Sequence, residues 1–130
     1  MNTDKNHEQI NAITEKIQQG AFSVSNALGC GFLEKVYENA LVLELMHLGL
    51  KVARQLPIKI RYREKVVGEY VADLVVEDYV LVELKAIPML DRIHKAQCIN
   101  YLAATRLPIC LLLNFGRPKV EVCRILGKNS

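Results

Sequence analysis

Apolar positions recur with helical or strand periods almost without a break from Ile10 to Ile125. From Glu8 to Leu28 the residues Ile10, Ile13, Ile17, Ala21, Val24 and Leu28 fall three or four apart, the spacing of an amphipathic helix that Gly29 and Gly31 then stop. A second helix is predicted from about Leu33 to Leu48, turning Val36, Tyr37, Ala40, Leu41, Leu45 and Leu48 inward and ending at Gly49, a good left-handed cap. The pattern then changes. Lys51 to Arg63 alternates loosely around Val52, Ile58 and Ile60, and valine-rich runs follow at Val66 to Val76 and Val80 to Lys85, so three strands joined by tight turns are expected. A third helix spans about Asp91 to Thr105, with Asp91 as its N-cap and a stop ahead of Pro108. Ile109 to Leu113 is the continuous apolar run of a buried strand, and Val120 to Ile125 reads as a last strand. The expected order is α, α, β, β, β, α, β, β, in a single domain over residues 1–130 with the first two helices on one side of the sheet.

Charges break this pattern where it is most apolar. Asp73 interrupts Val71 to Val76, and Glu83 and Lys85 interrupt Val80 to Ala86. An ionised carboxylate taken out of water costs several kcal/mol unless it is paired or bound to a cation, so three such residues in adjacent strands need a reason. Opposed residues of an antiparallel hairpin share a face. A three-residue loop Glu77-Asp78-Tyr79 between Val76 and Val80 sets Asp73 opposite Glu83, and Lys85, two residues further along, joins them. A two-residue turn would send Glu83 to the other face. Two carboxylates this close suit a hard divalent cation such as Mg²⁺, which prefers oxygen ligands, and a lysine beside it can act on a water or a phosphate. An ion pair of Lys85 with the carboxylates, neutralising itself, is the alternative.

Composition adds exclusions. At 130 residues, 51% hydrophobic and 24% charged, the chain is neither disordered nor a coiled coil. The longest charge-free apolar stretch, Leu107 to Gly116, falls well short of the roughly 20 residues of a spanning helix, and Met1 to Asn6 is too polar to begin a leader, so a cytoplasmic protein without a membrane partner is expected. A net charge of +3 permits a polyanionic partner without demanding one. Cys30, Cys98, Cys110 and Cys123 show no C-x-x-C spacing and read as reduced, buried small hydrophobes. His7, His47 and His94 are scattered and make a poor zinc site, so they read as surface or structural residues.

Four motifs in order give the chain a resemblance. Gly31-Phe32-Leu33-Glu34-Lys35-Val36-Tyr37 resembles the signature of the G-x-x-E-x-x-Y proteins of the PD-(D/E)XK nuclease superfamily, and Asp73 followed by Glu83-Leu84-Lys85 resembles that superfamily's site. Gln97-Cys98-Ile99-Asn100-Tyr101 is similar to the Q-x-x-x-Y helix of its lambda-exonuclease-like branch, and Leu113-Asn114-Phe115-Gly116 continues the likeness. Two departures, Gly29-Cys30-Gly31 in place of Gly-Pro-Gly and Ser25 in place of a histidine, bear only on loop shape and on any accessory role of that histidine.

The resemblance implies an α/β fold with an αβββαβ core, a mixed sheet flanked by helices, and here an extra N-terminal helix. It implies that Asp73, Glu83 and the backbone carbonyl of Leu84 hold Mg²⁺ or Mn²⁺ against a scissile phosphate, with Glu34 contacting the cation directly or through water. Without it, Glu34 is a first-turn acid favoured by the helix dipole. It assigns Gln97 and Tyr101 to organising the metal site and the substrate phosphates. Spacing sets Gln97 with Ile93, Tyr101 and Ala104 on the inward stripe of the third helix, where a packed tyrosine and a satisfied amide fit equally. Tyr37 reads as a core residue. Arg61, Arg63 and Lys65 near one turn, and Arg117, Lys119 and Arg124 near the last strand, suit either phosphate contact or a solvated edge. The expected function is metal-dependent hydrolysis of nucleic acid, DNA foremost, with a non-catalytic interaction module of the same fold as the alternative. So small a chain offers little surface for gripping a duplex, which leaves room for a homodimer or a partner protein.

Overall fold

The computed structural model describes residues 3–127, and its elements follow the order that periodicity predicts: α1 (Thr3–Leu28), α2 (Glu34–His47), β1 (Val52–Tyr62), β2 (Lys65–Val76), β3 (Val80–Lys85), α3 (Arg92–Thr105), β4 (Ile109–Asn114) and β5 (Glu121–Leu126). Met1 and Asn2 of the polar opening lie outside the described residues, as does the end of the 1–130 domain from Lys128 onward. One sheet runs β1-β2-β3-β4-β5, parallel between β3 and β4 and antiparallel elsewhere. A parallel neighbour requires a crossover, and α3 is that crossover. Helices α1 and α2 cover one face through Ile17, Leu41 and Leu45 packed with Leu74, Val82 and Leu111. On the other face Cys98 and Leu102 of α3 pack with Leu81, Cys110 and Leu112. The central strands β3 and β4 are thus covered twice, which is why their sequences are almost wholly apolar.

Helix ends form as their sequences require. After α2, Gly49 takes φ +83° while its N–H and that of Leu50 donate to Met46 and Leu45 carbonyls, each at 3.0 Å, so the last turn's carbonyls are satisfied. Asp91 caps α3 by accepting the Ile93 N–H at 2.8 Å, and His94 Nδ1 accepts the Asp91 N–H in return at 3.1 Å, which gives that histidine its structural role.

Three sequence expectations need correction. Val36 is 39% exposed, and the inward side of α2 is Tyr37, Glu38, Leu41, Val42 and Leu45. On α3 the buried stripe centres on Cys98 and Leu102, so Ile93 (62% exposed) and Ala104 lie outside it and Gln97 and Tyr101 flank it. Cys30 is exposed in the α1–α2 connection and Cys123 half-buried on the edge strand β5, whereas Cys98 and Cys110 are buried as expected; all four are free thiols.

One irregularity shapes the whole edge of the sheet. The β1–β2 ladder runs from Val52↔Val76 to Arg54↔Leu74 and resumes at Leu56↔Ala72, omitting Gln55 and Asp73. Gln55 has φ +56°, a left-handed residue inside a strand. Across it the alternation inverts: Val52, Leu74 and Val76 pack beneath α1 and α2, while Leu56, Ile58, Ile60 and Ala72 pack with α3. The hairpin therefore changes faces at Gln55 and Asp73, and its far half accompanies α3.

Candidate active site

The β2–β3 turn has Glu77 and Asp78 both at positive φ, closed by a Tyr79 N–H to Val76 carbonyl bond of 3.1 Å. Pairing follows as Val76↔Val80, Val75↔Leu81 and Leu74↔Val82, the register that the three-residue loop predicts. There the ladder ends. Beyond it Asp73 Oδ2 accepts the N–H of Leu84 at 2.8 Å, so a carboxylate takes the place of a backbone acceptor where the two strands part.

Glu83 lies against Asp73 at this parting. Its side chain is buried, and Oε1 has no hydrogen-bond partner among the described residues. Burial, then the negative charge of Asp73 and a hydrogen bond shared with it, push the Glu83 carboxyl up to about 9. Glu34, at the first turn of α2, is raised by partial burial and then by Asp73, against the pull of Lys85. Tyr101 is raised by burial first and then by Glu83 and Tyr70, with Asp73 a smaller cause. Glu34, Asp73, Glu83, Lys85 and Tyr101 therefore occupy one electrostatic neighbourhood. Lys85 is half-buried and forms no direct ion pair with a described residue, although its charge is felt at Glu34.

Supports converge on these residues from three elements. Tyr37, fully buried and stacked on Phe115 at 4.9 Å, donates its hydroxyl to the Gly29 carbonyl at 2.7 Å and accepts the Phe32 N–H at 3.1 Å. It thereby fixes the loop that delivers Glu34, and it is the core residue expected. Glu38, one turn after Glu34 and 3% exposed, escaped sequence reading, although an acid beside Tyr37 on the buried side of α2 was a usable signal. Arg54 at 2.7 Å and Lys35 at 3.0 Å satisfy it, and Gln55, which faces Asp73 across the hairpin, donates to it at 3.0 Å. Burial would raise Glu38, but those donors hold it below the usual carboxylate range. Asn114, also missed as a functional support, is fully buried; it bonds both the N–H and the carbonyl of Ile87, at 3.0 and 2.9 Å, and so clamps the chain just after Lys85. Gly116 permits this approach, since a Cβ there would meet the Ile87 carbonyl oxygen at 2.2 Å.

Other predicted site residues fall in different places. Gln97 is half-buried on α3 without a hydrogen bond to a described residue. Arg61 lines a cleft beside α3, and Arg63 lies over the Tyr62 ring at 5.8 Å, on the hairpin turn. Lys119 lies over Phe22 of α1 at 6.0 Å, on the face opposite α3, and Arg124 is spent on Asn11 and Thr14 of the same helix. Those last two are turned toward α1, Lys119 from the β4–β5 loop and Arg124 from within β5.

A hard divalent cation fits what is present. Two carboxylates meet, and one oxygen is buried with its lone pairs unused, a costly state that a cation would relieve. Among the described residues no three His, Cys, Asp or Glu side chains gather into a cation-holding cluster, so the carboxylates that meet here are the Asp73 and Glu83 pair alone. A family model described as the PD-(D/E)XK nuclease superfamily matches residues 11–125. No curated protein and no solved structure matches the chain.

Proposed function

The chain belongs to the PD-(D/E)XK nuclease superfamily, and on that premise we propose that it hydrolyses phosphodiester bonds of nucleic acid, DNA foremost, at the Asp73–Glu83–Lys85 site with Mg²⁺ or Mn²⁺ as cofactor. The observation that carries this reading is the buried Glu83 carboxyl, pressed against Asp73 and with no hydrogen-bond partner at Oε1 among the described residues, in the same neighbourhood as Lys85, which forms no ion pair with a described residue. Asp73, Glu83 and the Leu84 carbonyl would hold the cation, which supplies charge neutralisation at the phosphate and lowers the pKa of a water. Glu34 lies near enough to feel Asp73 and acts through a water in the outer shell.

The chain's own residues do the rest. Lys85, in no ion pair with a described residue, orients the attacking water and stabilises charge on the phosphate oxygens. Gln97 and Tyr101, at the rim of α3, hold the phosphate in place. Arg61 and Arg63 extend the basic path along the hairpin, and Lys119 would meet only substrate that wraps round the sheet. Membership of the G-x-x-E-x-x-Y group is supported by the use made of its residues, with Tyr37 fixing the loop before Glu34. Free thiols throughout suit the cytoplasm, and no helix among the described residues is long and apolar enough to cross a membrane. A homodimer or partner protein would add surface for a long substrate.

Lys85→Ala tests the assignment of roles. Cleavage of single- and double-stranded DNA should fall by at least about a hundredfold, the usual worth of a positioned proton-transfer group. Metal affinity by calorimetry and the thermal midpoint should stay near wild type. Undiminished turnover would make Lys85 a bystander.

A further inference from the structure

The face change at Gln55 and Asp73 carries the far half of the β1–β2 hairpin alongside α3, and a cleft of about 570 Å³ opens between them. Lys59, Arg61 and Arg106 line it together with Tyr70 and Asn100, and among the described residues no acidic one does. None of the three cations forms an ion pair with a described residue, and the hydrogen bond of Arg61, to the Glu64 carbonyl, is a long 3.5 Å. Glu69 stands opposite Lys59 on β2, so the excess positive charge of the cleft rests on Arg61 and Arg106, and such an excess suits a polyanion.

Two further observations point the same way. Arg106 ends α3 at φ +63°, a left-handed position that glycine ordinarily fills. A long cationic side chain at a strained backbone position is unfavourable for the fold alone and points to a use. Tyr70 is 50% exposed, and its ring lies 5.4 Å from that of Tyr101, whose hydroxyl senses Glu83 and Asp73. Tyr70 thus joins the cleft to Tyr101 of α3 through a ring contact.

We propose that this cleft binds a single strand of nucleic acid, with phosphates on Arg106 and Arg61 and a base stacked on Tyr70, and passes it beside Tyr101 to Asp73 and Glu83. A single strand bends and presents unstacked bases to aromatic rings, whereas a stiff duplex lies only across the rim of a cleft this size. The inference deepens the nuclease reading, on which its last step rests, while binding in the cleft does not depend on it.

The test is fluorescence anisotropy of a short labelled single-stranded DNA, the matching RNA and the blunt duplex, in chelator, over a range of salt. Wild type should bind the better single strand several-fold more tightly than the duplex, and preference for either DNA or RNA supports the cleft and identifies its source. Arg106→Gly, which relieves the backbone and should not lower the thermal midpoint, should weaken single-strand binding and reduce the slope of log affinity against log salt by ~0.7. Tyr70→Ala should weaken it roughly tenfold with the slope unchanged, and Tyr70→Phe should keep wild-type affinity. Unaltered binding by both Arg106→Gly and Tyr70→Ala, or tighter binding of the duplex, overturns the proposal. The two readings fail separately: intact binding through the cleft without cleavage on adding Mg²⁺ or Mn²⁺ sinks the nuclease alone, and cleavage by cleft variants that bind normally sinks the cleft alone.

Discussion

Burial and the charge of Asp73 both penalise ionisation of Glu83 and push its carboxyl from 4.5 up to about 9. A group whose folded value lies above its unfolded one contributes stability that is complete below the unfolded value and is lost as pH rises through the folded value. In chelator, this residue should therefore cost up to about 1.4 kcal/mol per pH unit between about pH 4.5 and about pH 9. Glu83→Gln, neutral throughout, should flatten that part of the curve and be the more stable protein at the alkaline end. Urea midpoints at several pH values check this, and parallel curves would show that Glu83 ionises in the fold without penalty. How Asp73 meets Glu83 was legible in the sequence, since the length of the Glu77–Tyr79 loop fixes which residues oppose one another. That Asp73 bonds the Leu84 N–H, and that Lys85 forms no ion pair with a described residue, was not, because rotamers and the point where two strands part leave no mark in the residue pattern.

Elements were legible nearly residue by residue where the apolar period is strong. The failures have local causes. Ile93, Gln97, Tyr101 and Ala104 form a plausible stripe, but Cys98 and Leu102 have the better-covered positions, so the helix lies rotated from that expectation. No glycine announces the left-handed turn at Gln55, which Glu38 stabilises from α2. Tyr37 shows what a motif does at this scale: one buried hydroxyl satisfies two backbone groups of the α1–α2 connection. Tyr37→Phe keeps the stack on Phe115 but strands those groups, and should cost about 1–3 kcal/mol in a urea titration while lowering activity through Glu34. Loss of neither stability nor activity would reduce the tyrosine to simple packing. Asn114→Ala should be worse for activity than for folding, because it frees the chain after Lys85. A cleavage rate unchanged in a folded Asn114→Ala protein would remove that clamp from the account.

At the scale of the whole molecule, the site lies where β2 and β3 part, at the level of the hairpin's change of faces, between α2 on one side and α3 on the other. A cation bound there favours the folded chain, so each tenfold increase of Mg²⁺ or Mn²⁺ above its dissociation constant should add ~1.4 kcal/mol of stability. Asp73→Ala should lose that dependence, and a metal response equal to wild type would place the cation elsewhere. The central claim is that the two carboxylates and Lys85 form a working hydrolytic site, and the most direct measurement is cleavage of labelled DNA by the purified protein with Mg²⁺ or Mn²⁺, beside Glu83→Gln prepared in the same way. The account predicts metal-dependent product from the wild type and essentially none from Glu83→Gln. Product that persists undiminished in Glu83→Gln, or no product from the wild type with either metal on single- or double-stranded DNA or RNA, would contradict it.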